Sequence, residues 1–177
     1  MSTPQAVPAG VVFGVMRHQV SAFAPVAVRG IIQVLDFEAI KHKLRDSVHG
    51  LGWSEEKTER VEKMYRRFLF LQVTSTETIV PTRDIDDFWH AHILDTRKYV
   101  ADCQTAFGFY LHHYPYFGLR GEEDTKDLET AFERSRTLYE NTYGESYATD
   151  QSAPRSSSAV TVIDANTEDD DRCSGCG

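Results

Sequence analysis

Between Ser54 and Val73 the chain places apolar side chains at Val61, Met64, Tyr65, Phe68, Leu69 and Leu71. Only a helix turns that spacing into one face. The far end of the stretch, FLFLQV, is apolar nearly all round, the pattern of a helix covered on more than one side, so it belongs at the centre of the packing. Ser54 followed by Glu55 and Glu56 supplies a cap and acids suited to the positive end of the helix dipole. A domain built around such a segment is helical, and the neighbouring segments agree.

Asp36 is a plausible N-cap for a helix in which Phe37, Ile40, Leu44 and Val48 recur at helical spacing up to Gly50. Val73 to Val80 reads as a loop closed by Pro81. Thr82 caps a long third helix that Gly108 ends or bends, and Thr125 or Asp124 opens a fourth. The inward residues of the fourth are Leu128, Phe132, Ser135 and Leu138 or Tyr139, with Gly144 as its stop. Between them, FYLHHYPYFGLR is too aromatic to stay in water and folds back as an ordered loop against the second and third helices. The expectation is an all-α, irregular bundle of about four helices.

A length of 177 residues with 41% apolar content supports one core. The domain is expected over residues 36–144. Residues 1–35 form an N-terminal arm, partly extended around Val26 to Val34, and residues 145–177 a disordered acidic tail ending in CSGCG. The net charge of −8 lacks a basic stripe, which argues against a nucleic-acid partner. No apolar run is long enough for a membrane span. Three cysteines, two of them at the C-terminus, do not make a disulfide framework and suit a reducing cytosol, so a cytoplasmic location is expected.

The stretch Thr82 to Gly118 holds four of the seven histidines. At about 100° per residue, Ile85, Phe88, Trp89, His92, Thr96, Tyr99 and Cys103 share one helix face while Asp86 and His90 lie opposite. The two imidazoles of Trp89-His90-Ala91-His92 therefore point apart and do not hold one metal between them. Asp86 and His90, four apart, share a face, a spacing of metal sites and of simple side-chain pairs alike. A third ligand has to come from the loop, from His112 or His113, with Asp87 nearby. It requires the loop to double back. Asp102 is excluded on a straight helix, because sixteen residues span roughly 24 Å. The metal fitting such a set is a transition metal such as zinc or copper.

His92 reads as a core histidine bonded to a backbone carbonyl or a tyrosine hydroxyl, and Cys103 as a small buried hydrophobe. On a straight helix the two lie roughly 16 Å apart, which excludes a catalytic pair; a pair of Cys103 with a loop histidine stays open. The aromatics from Trp89 to Phe117 read as core or as the wall of a flat pocket. Cys173 and Cys176 have no following helix to lower a thiol pKa, so the tail is not a thioredoxin motif. Two such tails could supply four thiolates to zinc or copper, or the pair could be modified by an enzyme.

Asp86-x-x-Trp89-His90-x-His92, then Tyr99-x-x-Asp102-Cys103 and Phe107-Gly108, resembles the core of the glycine-rich domain-containing protein-like family, over roughly Trp53 to Tyr143. That family is known from plants and also found in bacteria and fungi. The resemblance implies links to stress and developmental responses, as in plant members, and brings no reaction with it; the glycine-rich tail that names the family is replaced here by the acidic one. The expectation is a non-catalytic binding or adaptor domain with a protein partner. Two alternatives stand beside it: a carrier or ribosomally made precursor modified or metallated at Cys173 and Cys176, and a metal-dependent enzyme using Asp86, His90 and a loop histidine.

Overall fold

The computed structural model describes residues 23–147. Within them lie six α-helices: α1 (Pro25–Val34), α2 (Glu38–Arg45), α3 (Glu55–Thr74), α4 (Arg83–Leu94), α5 (Thr96–Phe107) and α6 (Glu122–Tyr143). No strand occurs among the described residues, and the fold is all-α. The expectations for residues 1–22 and for 148–177, including Cys173 and Cys176, fall outside this range.

Helix α3 is the axis of the packing, as its apolar end predicts. Ser54 Oγ accepts from the Lys57 amide at 3.1 Å and so starts the helix. Val61, Met64, Tyr65, Phe68, Leu69, Leu71 and Val73 are all buried, and α1, α2 and α4 pack against it.

Three differences from the sequence reading shape the domain. First, residues 25–34 are not an extended arm but helix α1. Pro25 stands in its first turn, where a missing N–H costs nothing, and Val28 and Ile32, one turn apart, are fully buried. The Arg66 guanidinium donates to the Ile32 and Leu35 carbonyls, two acceptors that the end of α1 leaves without helical partners. A valine-rich segment is helical here because tertiary burial outweighs its β-branched propensity.

Second, α2 stops at Arg45 rather than near Gly50. The N-cap is Phe37 rather than Asp36, whose Oδ1 accepts from the Glu38 amide at 3.0 Å from one residue further out, and Asp46 Oδ1 takes the Val48 and His49 amides into a turn at 2.8 and 2.9 Å. Val48 is consequently exposed rather than in the core.

Third, the long helix after Thr82 is broken. Thr82 Oγ1 caps it as expected, accepting from the Ile85 amide at 3.3 Å. At Asp95 (φ −79°, ψ 70°) the backbone leaves the helical region, and the Asp95 side chain caps α5 through the Lys98 amide. Thr96 therefore opens a new helix and is exposed, not part of the buried face. The Asp95-Thr96 pair, a capping residue in mid-period, is the local signal for this break.

The last helix begins at Glu122, slightly before the predicted start, and closes at Gly144 in the left-handed conformation (φ 66°). Leu128, Phe132, Ser135 and Tyr139 face inward, as expected. Ser135 Oγ accepts from the Val80 amide at 2.8 Å, which pins the 75–82 loop to α6. The ordered domain also runs past residue 144: Glu145 pairs with Lys63 and Arg67, and Tyr147 is buried with its hydroxyl donating to the Val80 carbonyl at 2.9 Å.

Candidate metal centre

The break at Asp95 turns α5 back along α4, and the loop after Gly108 follows it. Ten residues of straight helix would hold His92 and Asp102 about 15 Å apart. Their Nε2 and Oδ2 atoms lie 3.0 Å apart instead. The distance arguments that kept Asp102 from Asp86 and Cys103 from His92 rested on a continuous helix and do not apply. The segment through Ala91 is itself helical, and the two imidazoles of the motif do point to different neighbours.

His90 faces outward into a half-buried cluster with Asp86 and His113. His113 Nε2 donates to Asp86 Oδ1 at 2.9 Å, and His90 Nε2 lies 3.7 Å from the same oxygen. The two imidazole centroids are 4.7 Å apart, and one ligand atom from each residue falls within 4.8 Å of the others. Zinc ligands at about 2.0–2.2 Å from the ion lie about 3–3.5 Å from one another, so a contraction of roughly 1 Å completes such a site. Side-chain exposures of 12% for Asp86, 15% for His113 and 38% for His90 describe a cluster open on the His90 side.

Neighbouring carboxylates are engaged elsewhere. Asp84 pairs with Lys57 at 2.8 Å, and Asp102 with Lys98 at 2.8 Å and His92. Of the two loop histidines, His113 joins the cluster and His112 does not; His112 is exposed with its ring against Tyr110. The loop thus doubles back onto α4 and α5 and leaves Tyr110, Tyr114 and Tyr116 partly exposed. The Trp89 ring stands edge-on to His113 at 4.6 Å and helps hold it in place.

On the other side of α4, His92 is 1% exposed and bonded at both nitrogens. Its Nδ1 lies 2.9 Å from the Tyr65 hydroxyl, one of the two kinds of partner expected, and its Nε2 reaches the Asp102 carboxylate, a partner the sequence reading did not assign to it. Burial lowers the His92 pKa from 6.5 to about 4 against the opposing pull of Asp102. The ring is therefore neutral at pH 7, with Nε2–H donating to the carboxylate and Nδ1 accepting from the phenol. Cys103 is a free, buried cysteine, and burial pushes its thiol up in pKa, the setting of a packed rather than a nucleophilic sulfur. Trp89 Nε1 donates to the Tyr99 hydroxyl at 2.9 Å, and that hydroxyl donates to the Leu111 carbonyl. Sequence reasoning missed this chain because Trp89 and Tyr99, like His92 and Asp102, are ten residues apart and meet only across the bend.

Among the described residues no helix is long and apolar enough to cross a membrane. No solved structure matches the chain. Among curated proteins, Glycine-rich domain-containing protein 1 of Arabidopsis thaliana is 33% identical over 88 residues, which is 47% of this chain and 10% of the relative. The chain spans about a tenth of the length of that relative. A family model described as UCP032817-like matches residues 29–142, from within α1 to the end of α6, and so takes in both the half-buried cluster and the buried His92 network. The chain belongs to this UCP032817-like, glycine-rich domain-containing protein-like family.

Proposed function

We propose that the domain acts by binding, and that its binding centre is a divalent transition metal held by Asp86, His90 and His113. The observation that supports this is the return of His113 across twenty-seven residues onto Asp86 Oδ1 at 2.9 Å, beside His90 one helical turn further along. Two imidazoles and one carboxylate suit zinc and its first-row neighbours; copper(I), which favours soft sulfur donors, fits this set poorly. Three protein ligands leave at least one coordination position for a side chain of a partner or for a small anionic ligand. The partly exposed tyrosines of the same loop add contact surface beside it.

Titration of metal-stripped protein with zinc against a chromophoric chelator tests this reading. One ion per chain is expected, with Asp86→Ala and His113→Ala each weakening binding by at least about 100-fold, while His112→Ala leaves it unchanged. Binding of under about a tenth of an equivalent, or an equal loss in His112→Ala, overturns it.

The open side of the cluster, where His90 is 38% exposed, favours a second reading, a metal-dependent enzyme using the same three side chains. In that case the free position holds a water whose pKa the metal lowers toward neutrality. Hydrolysis of activated ester or phosphoester substrates that appears with zinc and disappears in Asp86→Ala separates catalysis from binding alone.

A further inference from the structure

We infer that Tyr99 is a positioning residue for the Asp86, His90 and His113 cluster, setting its affinity for metal without touching the ion; this deepens the metal-binding reading and rests on it. Two of the three ligands are fixed by α4. The third stands on a loop, and its place depends on what ties that loop down.

The tie nearest to His113 is at Leu111, two residues before it. The Tyr99 hydroxyl donates to the Leu111 carbonyl and accepts from Trp89 Nε1 at 2.9 Å. Leu111 is held a second time, where its backbone meets the Cys103 thiol. Trp89 sits in sequence between Asp86 and His90, and its ring packs on the His113 imidazole at 4.6 Å. One phenol, 1% exposed, thus joins the helix bearing two ligands, the helix of its own backbone and the loop bearing the third.

Removing that hydroxyl leaves an indole N–H and a carbonyl without partners in a buried place, and the structure relieves both by letting the loop move. The loop carries His113 with it. Outer-shell bonds of this kind typically govern metal affinity by about 10- to 100-fold.

Tyr65 provides the control. It is also fully buried, and its hydroxyl also makes a buried bond, to His92 Nδ1 at 2.9 Å, on α4 rather than to a loop carbonyl. The test compares Tyr99→Phe with Tyr65→Phe in the full chain, by zinc competition and by the imidazole signals of His113 in NMR spectra of the metal-free protein. A mainly structural role for Tyr99 predicts that the two variants behave alike.

Positioning predicts zinc affinity lower by about 10- to 100-fold in Tyr99→Phe and within about twofold of wild type in Tyr65→Phe. It also predicts that the His113 signals move only in Tyr99→Phe. Equal affinities in the two variants, or unmoved His113 signals in Tyr99→Phe, overturn the inference. Should the wild type take up no zinc, the metal-binding reading fails by itself, and the His113 signals alone then decide whether Tyr99 places that side chain.

Discussion

Replacing His92 with Gln isolates the energetic consequence of burying an imidazole beside a carboxylate. Two effects oppose each other: burial disfavours the imidazolium, and Asp102 at 3.0 Å favours it. Burial prevails because Lys98 already neutralises Asp102 at 2.8 Å, leaving little field for a second cation. With the folded pKa at about 4 against 6.5 unfolded, the neutral ring is favoured in the folded state by about 3 kcal/mol. Between those two values the unfolded chain holds a proton that the folded one does not. Stability due to this group is therefore complete above pH 6.5 and declines as pH falls toward 4, by about 1.4 kcal/mol per pH unit. Below pH 4 it changes no further.

Other acid-sensitive groups, such as Glu145, whose pKa its Arg67 and Lys63 partners lower to about 2, are common to both proteins. The quantity to follow is therefore the difference between wild type and His92→Gln in urea unfolding. Tryptophan fluorescence of metal-free protein between pH 4 and 8 reports it. The wild type should lose its advantage as pH falls across this window. A flat difference would refute the reasoning, and an advantage that grows on acidification would show an imidazolium paired with Asp102, the opposite balance of the two effects.

Two further substitutions test how the fold is held around the site. Gly118 has φ +87°, and a Cβ there would meet Leu128 Cδ2 at 2.5 Å, whereas Gly144 has φ +66° with open space around it. Gly118→Ala should cost about 1–3 kcal/mol and more than Gly144→Ala, in which backbone strain acts alone; equal losses in thermal melts would contradict the crowding against α6. Tyr147 is fully buried against Phe132 and Tyr139, so Tyr147→Ala should lower unfolding free energy by about 3–5 kcal/mol in urea titration. A loss under about 1 kcal/mol would place residue 147 outside the folded unit.

What the sequence made legible was whatever is decided within one turn of helix. Ser54 and Thr82 cap because a hydroxyl before an acidic first turn is a local arrangement. The inward residues of α3 and α6 follow from period alone. Helix α1 was missed because its signal is local only in Pro25; the rest of its stability comes from Arg66, thirty-one to thirty-four residues away, and from the burial of Val28 and Ile32. The choice between His112 and His113 was equally out of reach, since adjacent loop residues differ only in direction, and the contact that distinguishes His113, the Trp89 ring, stands twenty-four residues away.

The break at Asp95 bears on more than the length of a helix. Had α4 continued, Trp89 and Tyr99 would stand about 15 Å apart along one axis, as would His92 and Asp102. Both pairs instead bond at about 3 Å across the bend. The same fold-back brings residues 109–113 over α4, where His113 meets Asp86. It follows that the two histidines of one short motif are assigned to different chemistries by a residue outside it. His92 is closed in by α5 and kept neutral, while His90 stays at the open edge of a cluster that the returning loop completes. Lengthening the turn at Asp95 by one residue should rotate α5 by about 100° and disrupt both bonded pairs together. Substitutions confined to the motif should affect them one at a time.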